Sequence, residues 1–135
     1  MIVVDTNILV HALVEGPRTA PVRQLRDREP SWRVPPFWRW EFANVMATAV
    51  KTGRLSRDQA RSILVSAETH FAPLERPLPS VEALDSALDR KLSGYDGAYL
   101  ALARRLSVKL VTEDRKLQQA AGVMACSVEE RLEQL

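Results

Sequence analysis

The chain has 135 residues, 46% of them hydrophobic and 27% charged, with a formal net charge of +2 and one cysteine, Cys126. A composition this close to the globular average excludes a largely disordered chain, one cysteine excludes an intrachain disulfide framework, and no apolar run reaches the roughly 18 residues of a transmembrane helix. The N-terminal Met1-Ile2-Val3-Val4-Asp5 lacks the basic region and apolar stretch of a signal peptide. The expectation is one cytoplasmic domain over residues 1–135, with no membrane association.

Met1 to Asp5 reads as a buried strand, because both of its faces are apolar. Thr6 to Val14 has helical spacing through Ile8, Leu9, Ala12 and Leu13 and is broken by Gly16-Pro17. Thr19 to Glu29 is a second helix, and Trp32-Arg33-Val34 a short strand between prolines. Phe37 to Thr52 is a helix opened by Pro36 and closed by Gly53. Ser56 caps a helix that runs to His70, with Asp58 in its first turn. Pro73 to Pro77 is a strand candidate. Ser80 to Leu92 is helical, with Val81, Leu84, Leu88 and Leu92 on one stripe. After the Ser93-Gly94 turn come a helix over Tyr95 to Leu106, a strand over Lys109 to Thr112, and a short helix from Asp114 to Ala121. A last strand, Val123 to Cys126, leads to a terminal helix with Ser127 and Glu130 at capping-box positions. Short strands alternating with helices imply an α/β fold whose parallel sheet is covered on both faces.

Chemistry in such folds sits outside the carboxyl ends of the strands. Asp5 directly follows the first strand, and Asp114 follows the Lys109 strand closely. Asp96 opens a helix, and Glu41 lies one turn into another with Asn44 on the same face. Each acid has a plain reading: Asp5 as a helix N-cap, Asp96 and Asp114 as complements to helix dipoles, Glu41 as a solvated residue. Their neighbours weigh against that reading as the whole account. Asp5-Thr6-Asn7 places three polar groups where one cap needs one, and Glu41 stands among Phe37, Trp38, Trp40, Phe42 and Val45. Four converging carboxylates need protons or a divalent cation to relieve their repulsion. Hard oxygen ligands without His or Cys favour Mg2+ or Mn2+ over zinc. His11 and His70 read as structural or surface residues and Cys126 as a small buried hydrophobe.

Val3-Val4-Asp5-Thr6-Asn7-Ile8-Leu9, Trp40-Glu41-Phe42-Ala43-Asn44-Val45, Tyr95-Asp96-Gly97-Ala98-Tyr99-Leu100 and Leu110-Val111-Thr112-Glu113-Asp114-Arg115 resemble, in order, the four acidic motifs of PIN-domain nucleases, most closely the VapC-type toxins of toxin–antitoxin pairs. The resemblance spans residues 2 to about 126. It implies a three-layer α/β/α fold with a mostly parallel sheet, and a Mg2+- or Mn2+-dependent endoribonuclease. Asp5 and Asp96 would be the principal metal ligands, Glu41 and Asp114 would complete the site directly or through water, and Asn7 and Thr112 would support them. Two departures stand out. Gly97 occupies a position where alanine is frequent, which would loosen that helix start, and Glu113 beside Asp114 leaves open which carboxylate faces the metal.

The resemblance also implies a cognate antitoxin, an RNA substrate and a homodimer. Arg18, Arg23, Arg26, Arg28, Arg33 and Arg39 fall near Trp32, Trp38 and Trp40. That cluster reads as an RNA-stacking surface, as a solvated arginine face over core tryptophans, or, by resemblance, as an antitoxin groove over residues 18–45. Rival functions fit less well. A haloacid-dehalogenase-like phosphatase needs an acid where Asn7 stands, and a receiver domain needs an acid pair and a mid-sheet phospho-acceptor that are missing. A catalytically weak binding module remains as the alternative.

Overall fold

The computed structural model describes residues 1–135. In chain order they form β1 (Ile2–Val4), α1 (Thr6–Leu13), α2 (Thr19–Arg28), β2 (Trp32–Arg33), α3 (Trp38–Lys51) and α4 (Arg57–Phe71). These are followed by α5 (Ser80–Arg90), α6 (Gly94–Leu106), β3 (Lys109–Val111), α7 (Arg115–Ala121), β4 (Ala125–Cys126) and α8 (Val128–Gln134). The strands make one parallel sheet in the order β2-β1-β3-β4. Its register pairs Ile2 with Trp32 on one side and Ile2, Val3 and Val4 with Lys109, Leu110 and Val111 on the other.

Strand alternation divides the core. Ile2 and Val4 point into a cluster built with α1, α2, α3, α4 and α8, while Val3 and Leu110 point into a second with Tyr99, Leu102 and Leu117. Helices therefore cover both faces, as parallel pairing requires. The chain leaves β1 toward β2 on one side and returns to β3 on the other. The carboxyl ends of β1 and β3 thus bound the point where strand order reverses, which is where open α/β sheets place ligands.

Ser56 caps α4 and the Ser127–Glu130 capping box forms on α8 as the sequence predicts, and Gln59 completes a second box with Ser56. The expected strand over Pro73 to Pro77 does not form. Ala72–Leu74 is a 3-10 turn, and only a single bridge joins Val34 to Glu75. Proline at both ends of that segment removes the donors a ladder needs. The expected last strand is shorter because Gly122–Met124 turns as a 3-10 helix, with Gly122 at φ +59°. The Val81, Leu84, Leu88 stripe of α5 faces outward. Instead α5 meets α6 through Ala83, Ala87 and Gly97, where a Cβ on Gly97 would lie 2.7 Å from the Ala83 carbonyl oxygen and 2.8 Å from the Ala87 nitrogen. Gly97 allows two helices to approach more closely than an alanine would permit. No helix is long and apolar enough to cross a membrane.

Candidate active site

The largest cleft, about 510 Å³, lies over the carboxyl ends of β1 and β3. Asp5, Glu41, Asp96 and Asp114 all line it, together with Thr6, Asn7, Asn44 and Tyr99. The four acids reach it from four places: the end of β1, the first turns of α3 and α6, and the loop after β3.

Asp5 is both a cap and a cleft residue. Its Oδ1 accepts from the Ile8 backbone nitrogen at 3.2 Å, which caps α1, and its Oδ2 accepts from the Thr112 hydroxyl. Asp114 likewise caps α7 through the Leu117 nitrogen at 3.1 Å, and its own nitrogen donates to Thr112 Oγ1 at 3.1 Å. The buried Thr112 hydroxyl so links both acids. Capping and a shared site are compatible, because a cap uses one carboxylate oxygen. Asp96 is not a cap: Ser93 caps α6 by accepting from the Asp96 nitrogen at 3.1 Å. Asn7 lines the cleft but is exposed, and the side chain that hydrogen-bonds Asp5 is Thr112.

Glu41 is held by two residues the acidic motifs did not single out. The Tyr99 hydroxyl donates to Glu41 Oε1 at 2.6 Å, and the Thr6 hydroxyl donates to the same oxygen at 3.0 Å. Thr6 and Tyr99 are themselves 2.5 Å apart. Thr6 is the middle residue of the Asp5-Thr6-Asn7 triplet, and Tyr99 lies three residues after Asp96, one helical turn on. A hydroxyl one turn from a motif acid was the available signal.

Electrostatics reflect the crowding. Burial pushes the Asp5 carboxyl up to about 6, with Glu41 and Asp114 adding to the shift and hydrogen bonds from Thr112 and Ile8 opposing it. Burial raises Asp96 as well; Asp114 adds to this, and Lys116 and Ser93 oppose it. Burial followed by the neighbouring Glu41 carboxylate drives the Tyr99 phenol well upward, so it remains a donor. As the side chains stand, no three His, Cys, Asp or Glu are grouped to hold one ion by themselves. The donor set is nonetheless all oxygen and suits Mg2+, which takes one or two carboxylates and keeps waters for the rest.

Glu113 faces away from the cleft. It pairs with Arg18, which also reaches Glu129. Asp114 is therefore the acid of that motif in the cleft. His11 and His70 are outside the cleft lining, and His70 hydrogen-bonds the Ser66 carbonyl in its own helix. Cys126 is buried. The arginine–tryptophan cluster does not present its three tryptophans on one surface. Trp32 and Trp38 are fully buried. Arg23 pairs with Glu15 and Arg39 with Glu75, while the Arg26 guanidinium lies 4.8 Å from the centre of the Trp32 ring. Of the three tryptophans only Trp40 stands out into solvent.

No curated protein matches the chain. Several solved structures share its fold. The crystal structure of PAE2754 from Pyrobaculum aerophilum matches with a TM-score of 0.75 at 23% identity, over 98% of this chain and 93% of that one. The structure of FitAB bound to the IR36 DNA fragment matches at 0.71 and 20% identity, over 95% of each chain. That of FitAcB from Neisseria gonorrhoeae matches at 0.68 and 19% identity, over 96% of this chain and 99% of that one. A family model, the PIN domain, matches residues 2–123. With its parallel sheet and its four acids at the switch point, the chain belongs to the PIN domain family.

Proposed function

We propose that the chain is a divalent-metal-dependent endoribonuclease and the toxin of a toxin–antitoxin pair, working in the cytoplasm. The observation that carries the reading is the convergence of Asp5, Glu41, Asp96 and Asp114 on one cleft whose lining contains neither histidine nor cysteine. Asp5 and Asp96 would hold Mg2+ or Mn2+, with Asp114 and Glu41 reaching it directly or through water. When bound, such an ion activates a water and neutralises phosphate charge.

The chain's own groups prepare that site. Thr112 fixes one oxygen of Asp5 and leaves the α1 cap to the other. Tyr99 and Thr6 both hold Glu41 Oε1, which leaves Oε2 free to accept a proton or a water. Burial of Asp5 keeps bulk water from solvating it, so its charge is available to a cation.

The reading of a partner protein rests on the motif resemblance to VapC-type toxins and on the likeness to FitAB bound to DNA. A groove of about 310 Å³ between α3 and α4, lined by Met46, Val50, Ala60 and Leu64 and edged by Lys51, Arg57 and Arg61, suits an acidic amphipathic antitoxin segment. The outward Val81, Leu84, Leu88 stripe suits a second copy in a homodimer.

The test is cleavage of RNA by the purified chain. Hydrolysis with Mg2+ or Mn2+, abolished by a chelator and by Asp5→Asn or Asp96→Asn, is expected. Undiminished cleavage in excess chelator overturns the metal-dependent reading.

A further inference from the structure

Two large aromatic side chains stand exposed on the rim of the acidic cleft. Trp40 is 75% exposed and Tyr95 62% exposed, and both line the cleft. Each immediately precedes an acid of the site, Trp40 before Glu41 and Tyr95 before Asp96, in the first turns of α3 and α6. The two helix starts adjoin. The Phe37 ring, just before α3, meets Tyr95 edge-on at 5.2 Å and Tyr99 at 5.4 Å. Tyr95 is therefore supported from beneath while most of its surface stays open to solvent.

A lone exposed apolar residue calls for no explanation. Two aromatics beside two acids of one cleft are a different matter. Neither contributes to the two buried core clusters, so core packing does not account for either ring. We infer that Trp40 and Tyr95 are base-stacking platforms that grip the nucleotides flanking the scissile phosphate of an unpaired strand. The inference rests on the nuclease reading of the same cleft.

The physical need is clear from the charges. Four carboxylates repel a polyanion, and no lysine or arginine lines the cleft beside them. Lys116, outside the lining, partly offsets Asp96. The neutral, polarisable part of a nucleic acid is its bases, and a base stacks on an aromatic ring whatever its identity. Such platforms require bases that are not already stacked in a helix, so they select single strands, loops and ends over duplex.

Trp32 and Trp38 are fully buried, so of the three tryptophans only Trp40 meets solvent. Its emission therefore reports directly on the rim. The experiment titrates the full chain with a ten-nucleotide oligoadenylate in Ca2+, with the strand checked intact afterwards, and with a duplex of that length and ribose 5-phosphate as controls. Saturable quenching by the single strand alone is expected. Strand affinity, read by anisotropy of a labelled copy, should weaken about tenfold in Trp40→Ala and in Tyr95→Ala, within the range that base–aromatic stacking supplies. Trp40→Phe should recover most of it. In cleavage assays KM should rise by a similar factor while kcat stays within about threefold.

Equal quenching by duplex, or Ala variants that bind the strand as wild type does, overturns the inference. So does shielding of Trp40 from acrylamide by a copurified antitoxin with no quenching by the strand, which would assign the rim to a protein. The two readings fail separately. Cleavage with an unchanged KM in both Ala variants removes the stacking and leaves the nuclease. Strand-dependent quenching in a chain that cuts nothing removes the nuclease and leaves the stacking.

Discussion

The Tyr99 hydroxyl donates to Glu41 Oε1 at 2.6 Å across 58 positions of sequence, joining the acid of α3 to the helix that carries Asp96. Thr6, beside Asp5, donates to the same oxygen. Glu41 is therefore tied both to the residue after Asp5 and to the helix of Asp96, and a change at Tyr99 should reach the chemistry more than the fold.

Tyr99→Phe keeps the ring and its edge contact with Phe37 but removes the donor. A hydrogen bond to a charged group contributes about 1.5–3 kcal/mol when buried. Glu41 borders an open cleft, so water replaces part of this, and a loss of about 1 kcal/mol of stability is expected. Cleavage should fall about tenfold through kcat, because Glu41 is no longer oriented, while strand affinity is unchanged. Urea denaturation together with steady-state kinetics checks this. An unchanged kcat would show that Glu41 needs no orientation from Tyr99.

The pH dependence of the metal-free chain should carry the signature of Asp5. Its folded carboxyl titrates near 6 against an ordinary 3.8, so the folded state holds the proton more tightly than the unfolded state does. The contribution is fully present below about pH 4 and is lost as pH rises through about 6. The difference across that window is about 3 kcal/mol at 1.36 kcal/mol per unit. Asp5→Asn keeps the cap, since Asn is a good N-cap, and cannot titrate. In chelator, wild type and variant should be similarly stable near pH 4, and the variant the more stable near pH 7. Parallel stability curves over this range would contradict the burial of a charged Asp5.

Metal should reverse that order. A cation that binds only the folded state adds about 2.7 kcal/mol at 100 times its Kd. Wild type should gain melting temperature with Mn2+, and Asp5→Asn, Asp96→Asn and Asp114→Asn should gain less. Glu113→Gln should respond as wild type does, because Glu113 is engaged by Arg18 outside the cleft. An equal Mn2+ shift in wild type and in the Asp5 and Asp96 variants would remove those two from the metal site.

Gly97→Ala weighs two opposed effects. Alanine improves helix propensity by about 1 kcal/mol. Its methyl would meet the Ala83 oxygen at 2.7 Å and the Ala87 nitrogen at 2.8 Å, both backbone atoms of α5 that cannot rotate away. Overpacking of this kind costs about 1–3 kcal/mol, so a net loss of roughly 1 kcal/mol is expected. Thermal melts decide it; a raised melting temperature would mean that α5 shifts freely over α6.

Much of this protein is local, and local features are legible. The apolar run Ile2–Val4 ending in Asp5, the Ser127–Glu130 capping box and the hydroxyl-plus-acid ending of β3 each depend on neighbours within a turn or a strand. Periodicity and cap chemistry follow from covalent sequence alone, and so do the four acids as candidates. What the sequence left open depends on contacts between residues far apart. The Pro73–Pro77 segment turned rather than paired, because its prolines remove ladder donors. Gly97 serves close helix packing, a role set by α5 and not by α6. The choice of Asp114 over Glu113 was made by Arg18, 95 positions away, which draws one carboxylate out of the cleft. Tyr99 became a partner of Glu41 because the fold sets α3 beside α6. Trp32 and Trp38 were taken into the core while Trp40 stayed in solvent, a division among similar residues that only the placement of α3 on the sheet and α4 could make. One-dimensional patterns specify which groups a strand or helix offers. Which of them meet is decided by long-range packing, where geometry selects among groups of equal chemistry.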